Sequence, residues 1–426
     1  MNVTSPHSGN VTPQLDRSRA QRIIINLREG KASLEGAGMM SVGRDLWVQA
    51  AEDLIQELES SEACMVRWVK GRVGTGKTNF FGRVIEIAHR RNWVTSFIVI
   101  SGRGEGTELH RFEEIYRAIL RHCLSSALID QEHGRVEPGR RCGWEWILDQ
   151  WCQGLQRLAG SRTGGDIPFM RMNAVIEQAI TSMRRNWSIH GGFAEALRQY
   201  ARAKVDGDQE WATIILDWFL GEDVLARGGE VRLKLRTAGI REALTRRNAK
   251  ELLRSLSSFI RYCGYRGILI LIDEVENVLH QSRGAREDAY TTLRELIDNA
   301  DDRHGMTCAC FYISGTPDVF ESKDGLISYE ALASRVLLKA ELTQLNPKAA
   351  VINLGQLGLN SQEMIQIAER IMDVHAAAQA WVPPANLHEK LETTLNELVQ
   401  RNPDLTPRDW VKIVVDLLDR ECSGKS

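Results

Sequence analysis

Gly71-Arg72-Val73-Gly74-Thr75-Gly76-Lys77-Thr78 fills every fixed position of the pattern G-x-x-x-x-G-K-[ST]. Its surroundings suit it. Cys64 to Lys70 (CMVRWVK) reads as a short strand feeding the loop, and Asn79 to Arg90 (NFFGRVIEIAHR) has apolar residues at helical spacing directly after it. Glycine is needed where a loop wraps its N–H groups around phosphate oxygens, because a Cβ would obstruct the approach. In that arrangement Gly71, Gly74, Thr75 and Gly76 form the cradle, Lys77 meets the β- and γ-phosphates of a nucleotide, and the Thr78 hydroxyl ligates Mg2+. The following helix points its positive end at the same phosphates.

A phosphate loop of this kind works with a carboxylate at the end of an apolar strand. Gly267 to Glu274 (GILILIDE) is such a run, continuously apolar as a strand covered on both faces should be. Asp273 then binds Mg2+ through water, and Glu274 polarises the attacking water. A buried strand ending at a helix N-cap would also favour Asp and Glu, but the loop at 71–78 makes the metal reading the stronger one. Glu276 reads as a solvated residue of a first helical turn. Thr307 to Ser314 (TCACFYIS) reads as another parallel strand, running into Gly315-Thr316-Pro317. Open α/β sheets place ligands at such carboxyl ends, so Ser314 or Thr316 is a candidate to touch the γ-phosphate or the lytic water; a plain turn at Gly-Thr-Pro is the competing reading.

Outward from these motifs, strands and helices alternate. Arg22–Arg28 and Asp45–Leu58 read as helices before the loop. Trp93–Ser101 reads as a second strand, and Leu109–Leu124 as the next amphipathic helix. The alternation predicts an α/β fold, a P-loop NTPase sheet of parallel strands with helices on both sides. Lys77 and Asp273 are too far apart in sequence for a minimal core, so 130–262 is expected to hold a mainly helical insertion, with patterns at Trp144–Leu158, Met170–Arg185, Ala194–Ala203 and Ala212–Leu220. Six of the 11 tryptophans fall there, which suggests a separately packed core or a partner surface, core being favoured. Between Arg227 and Arg254, nine Lys and Arg face three Asp and Glu. Such a stretch suits a phosphate backbone or an ordinary solvated helix face.

After Pro317 come a helix and turns over Asp318–Leu345, a last strand in Ala350–Gly358, and helical patterns at Ser361–Ala377, Leu387–Gln400 and Thr406–Arg420. With no hairpin among them, a C-terminal helical lid is expected. The resulting division is 1–20 as a disordered N-terminus, 21–129 and 263–358 as the two parts of the ATPase core, 130–262 as the insertion and 359–426 as the lid.

Length and composition agree with this. The 426 residues suffice for two or three domains, and the 54 Lys and Arg nearly balance the 56 Asp and Glu, so the chain as a whole is neither a polycation nor a disordered tail. Eight cysteines show no CxxC pair and no zinc-ligand spacing, and read as reduced thiols in a cytoplasmic protein. Cys308 and Cys310 read as sharing one face of a strand. The first twenty residues lack the apolar block of a signal peptide, and no run is long enough for a membrane span.

With these motifs in place the chain resembles an AAA+ ATPase of the initiator-like branch and, more narrowly, the ATP-binding proteins of BREX bacterial anti-phage systems. The resemblance rests on Ser41-Val42-Gly43-Arg44, Leu109 to Arg117 (LHRFEEIYR), Gly264 to Gly267 leading into Asp273 to Glu276, Ser314 to Asp318, Ala331 to Arg335 and Leu405 to Asp409. It implies that Arg335 is an arginine finger reaching a neighbouring subunit, that Arg408 is a lid arginine sensing nucleotide, and that Val42 and Gly43 border adenine. A surface ion pair is the competing reading for both arginines. The implied ligands are ATP and Mg2+. A homo-oligomer and DNA are left open as partners, DNA-processing defence proteins such as a helicase are implied, and no membrane is expected. A nucleotide-dependent scaffold or switch with little turnover, recruiting a helicase or nuclease, is the alternative to an ATPase; a transposition-type ATPase shares the same core.

Overall fold

Burial of the apolar runs on both faces makes them strands of one sheet. In the computed structural model, which describes residues 15–31, 34, 36–102, 107–126, 143–160, 169–301, 305–336, 346–355 and 358–424, these strands are β1 (Cys64–Lys70), β2 (Val94–Val99), β3 (Cys123–Leu124), β4 (Ile268–Asp273), β5 (Ala309–Gly315) and β6 (Val351–Asn353). They form a six-stranded sheet in the order β3-β2-β4-β5-β1-β6, parallel at every pairing except β2 with β3. Every residue of β4 and β5 is buried, as strands covered on both sides require. The result is the expected α/β class with a mostly parallel sheet.

Local sequence explains two departures. The helix expected over Leu109–Leu124 spans Phe112–Arg121, and Cys123–Leu124 instead pairs antiparallel with Ser96 and Thr95 on β2. Cys308 does not share a strand face with Cys310. It precedes β5 with φ of 47°, and its thiol lies 3.6 Å from the Leu58 carbonyl, whereas Cys310 is buried within β5.

The chain divides into two compact units. The larger holds the described residues of 45–73 and 83–356, including the sheet and the helices Asp45–Ser61, Gly143–Gly160, Phe169–Asn186, Gly191–Asp206, Gln209–Phe219, Gly229–Thr237, Ala249–Tyr262 and Arg283–Asp301. The tryptophan-rich helices do not have a core of their own. Trp144 packs edge-on against Phe219 and Phe259, with ring centroids 5.6 and 5.5 Å away, and this group is continuous with the buried sheet residues Ile98, Ile270 and Phe311. The beginning of the 130–262 segment, with Cys142, lies outside the described residues, as do the first fourteen residues of the N-terminus.

The smaller unit holds the described residues of 1–44, 74–82 and 357–426. Its helices include Arg17–Arg28, which starts inside the stretch expected to be disordered, together with Ser361–Gln379, Leu387–Arg401 and Pro407–Cys422. Ile23, Leu27, Ile371, Leu391 and Trp410 form its core, and the Trp410 indole donates to the Met364 carbonyl at 2.8 Å. Among the described residues no helix is long and apolar enough to cross a membrane, no cluster of metal-ligating side chains occurs, and no cysteine is in a disulfide.

Candidate nucleotide site

Strand register positions the acidic half of the site. Ile272 of β4 is paired with Ile313 of β5, so Asp273 and Ser314 occupy the next level on neighbouring parallel strands and face the same way. The buried Ser314 hydroxyl donates to Asp273 Oδ1, which also accepts from the Glu274 N–H at 3.0 Å. Glu274 turns out of the sheet with φ of 60°, a left-handed conformation that costs a non-glycine residue about 1–2 kcal/mol. Its exposed side chain accepts a 3.2 Å hydrogen bond from Asn277, whose amide also donates to the Ile100 carbonyl at the end of β2 at 2.8 Å.

Glu276 does lie in a first helical turn, but it is not solvated. It sits partly buried in the 3-10 turn Val275–His280, its Oε2 3.6 Å from where a Cβ on Gly315 would lie. Thr316 is buried at the start of the short helix Pro317–Glu321. Arg335 lies on the helix Glu330–Val336, where its guanidinium is 2.9 Å from Asp298.

Gly71, the first residue of the loop, donates its N–H to the Gly315 carbonyl at 3.1 Å, so β1 hands over to the loop level with the end of β5. From Gly74 onward the loop belongs to the smaller unit. Gly74 and Gly76 have φ of 82° and 91°, the backbone region open to glycine, and a Cβ on Gly76 would meet nothing within 4 Å. That open concavity, followed at Lys77 by the helix Lys77–Arg90, is what a polyphosphate cradle requires. Lys77 is buried and Thr78 half-buried. Within the smaller unit, an ammonium at Lys77 and a hydroxyl at Thr78 follow directly on the glycine turn, the groups that suit phosphate oxygens and a hard cation respectively.

Other residues of the smaller unit grip this loop. Arg44 is buried and donates to the Thr75 carbonyl at 3.3 Å; burial pulls its guanidinium pKa down from the ordinary value while Glu363 opposes the shift. A Cβ on Gly43 would lie 2.4 Å from Glu363 Oε1, and Val42 is buried beside it in the core. A Cβ on Gly74 would come within 2.9 Å of Thr406 Oγ1 and 3.2 Å of Arg408 Cβ. Thr406 caps the helix Pro407–Cys422 through the Asp409 N–H.

The structure therefore sets Gly74 against Thr406 and Arg408, Thr75 against Arg44 and Gly43 against Glu363, and separately joins Asp273 with Ser314. It engages Arg335 with Asp298. Sequence reasoning missed Glu363 and Asn277, and quoted Arg44 and Thr406 without a role. Two signals were available: Asn360-Ser361-Gln362-Glu363 is a capping-box sequence, and Thr406-Pro407 is a helix start.

No curated protein and no solved structure matches the chain. A protein-family model described as BREX system ATP-binding protein BrxC/D matches residues 15–423.

Proposed function

Because the chain belongs to the BREX system ATP-binding protein BrxC/D family, we propose that it binds ATP with Mg2+ and hydrolyses it to ADP and phosphate in the cytoplasm. The setting is anti-phage defence, alongside DNA-processing proteins such as a helicase. The observation that carries the reading is the glycine cradle: two left-handed glycines, open at Gly76, ending in a helix that begins at Lys77.

In this reading Gly71, Gly74, Thr75 and Gly76 present N–H groups to phosphate oxygens, and Lys77 offsets β- and γ-phosphate charge. Thr78 and Asp273 hold the metal, which supplies Lewis-acid polarisation of the phosphoryl oxygens when bound. Ser314 keeps the Asp273 carboxylate aimed, and Glu274 orients water for in-line attack. Thr316 lines the γ-phosphate end. Val42 and Gly43 border the base, Arg408 senses nucleotide, and Arg335 completes a neighbouring copy's site after leaving Asp298. In domain terms the reading is a core with an inserted helical segment over 130–262 and a lid over 359–426.

The test is Mg2+-dependent phosphate release together with nucleotide binding. The parent chain should hydrolyse ATP, Lys77→Ala should lose binding, and Glu274→Gln should bind ATP while turnover collapses. Parental turnover by Glu274→Gln would overturn the role of Glu274, and failure of the parent to bind nucleotide would overturn the whole reading. The engagement of Arg335 by Asp298 favours a second reading, a nucleotide-dependent scaffold or switch; tight ATP binding with negligible turnover, with or without DNA, would select it.

A further inference from the structure

Within the larger unit, the ribbon from Gly229 to Lys250 carries positive charge that its own fold leaves unneutralised. Lys234 lies 4.0 Å over the Trp211 ring and 3.4 Å from Asp208, Arg246 is 3.9 Å from Asp288, and Lys250 is 3.3 Å from Glu295. Arg232, Arg236, Arg241 and Arg247 are all exposed and have no carboxylate partner among the described residues. Arg232 and Arg236 are four positions apart on the helix Gly229–Thr237, so they share a face.

The backbone beneath these arginines is pinned. Leu235, Ile240 and Leu244 are buried. The Trp218 indole donates to the Glu242 carbonyl at 2.8 Å, Asn248 donates to the Ala243 carbonyl at 2.9 Å, and Thr245 N–H donates to Asn248 Oδ1 at 2.8 Å. The helix carrying Arg232 and Arg236, and the non-helical segment after it, held at Glu242, Ala243 and Thr245, present their side chains from a backbone that does not first have to be ordered. Four permanently charged guanidinium groups on such a scaffold present a local positive surface that a polyanion would neutralise.

No aromatic residue occurs between Gly229 and Lys250, so the ribbon offers no stacking platform for unpaired bases. We infer that this arginine ribbon is a docking surface for the phosphate backbone of double-stranded nucleic acid, bound without reading base sequence. An acidic protein would meet the same charge, but the regularly repeated phosphates of a duplex offer a partner to each of four arginines carried on a held backbone better than a flexible acidic chain does. The inference takes its setting from the proposed function and uses none of the nucleotide-site residues.

The experiment follows binding of the full chain to a short labelled DNA duplex of mixed sequence by fluorescence anisotropy as salt is raised, without nucleotide. Four phosphate contacts give a slope of log K against log salt of about −3.6. Arg232→Ala with Arg236→Ala should reduce its magnitude by about 2, as should Arg241→Ala with Arg247→Ala. The fourfold alanine variant should bind at least about tenfold more weakly with an unchanged melting temperature, while fourfold replacement by Lys retains the slope. Parental affinity in the folded alanine variant, no duplex binding by the parent, or tighter binding of a labelled poly-glutamate peptide than of duplex would each overturn the inference. Duplex binding by Lys77→Ala and nucleotide binding by the fourfold alanine variant keep its failure separate from failure of the ATPase reading.

Discussion

The Ser314 hydroxyl on β5 is hydrogen-bonded to Asp273 at the end of β4, and both residues are buried. The bond exists because parallel register brings the two to one level, and a buried carboxylate needs such donors. Ser314→Ala removes one of them. It is predicted to lower unfolding stability by about 2 kcal/mol, a typical value for a hydrogen bond to a charged group, and to weaken Mg2+-dependent nucleotide binding. Denaturant midpoints and magnesium titrations check this; an unchanged midpoint would mean that Asp273 is satisfied without Ser314.

Asn277 holds the Glu274 carboxylate at 3.2 Å and the end of β2 through Ile100. Asn277→Ala should leave ATP binding near parental and change turnover by about tenfold, equivalent to about 1.4 kcal/mol in the barrier. A changed binding constant with unaltered turnover would assign Asn277 to structure alone.

Gly43→Ala combines backbone strain at φ of 67° with a contact 2.4 Å from Glu363 Oε1. Glu363 cannot move without cost, since its other oxygen accepts from the Asn360 N–H at 2.8 Å in the cap of the helix Ser361–Gln379. A loss of about 1–3 kcal/mol is expected. Combining it with Glu363→Ala should be less than additive, and strict additivity in thermal unfolding would show that the two residues do not meet.

Arg335→Ala is predicted to cost under about 1 kcal/mol in stability, because the Asp298 pair is largely exposed, yet to reduce turnover at least about 100-fold if Arg335 acts on a neighbouring copy. Stability and phosphate release measured on the same preparation decide it. Parental turnover would leave Arg335 as a surface ion-pair residue.

Burial pushes the His89 pKa down to about 4, outweighing a hydrogen bond involving the Leu124 backbone, while its Nε2 lies 2.8 Å from Thr95 Oγ1. The folded state therefore disfavours the imidazolium. The resulting stability is fully present above the unfolded value near 6.5 and is lost as pH falls toward 4, an effect of up to about 3 kcal/mol. His89→Gln should flatten that part of the stability curve. A curve of unchanged slope between those pH values would rule out His89 as its source.

The sheet was legible because its strands announce themselves chemically. Ile268 to Asp273 is an unbroken apolar run, and Cys64 to Lys70 leads into an unmistakable glycine pattern. Cys123–Leu124 was hidden because two residues at the end of an amphipathic stretch carry no period. The contacts of Gly43 with Glu363 and of Gly74 with Thr406 were equally invisible. They join segments more than three hundred residues apart, and only the C-terminal caps were readable from Asn360, Glu363 and Thr406. The solvation of Glu276 was misread for a related reason: its carboxylate lies close to Gly315 at the end of β5, a proximity no local spacing encodes.

The aromatic packing of Trp144 against Phe219 and Phe259, continuous with Ile270 and Phe311, rules out treating the helical stretch as a detachable module. Excising it would strip packing partners from a core shared with the sheet and expose apolar surface, so shortened versions should precipitate.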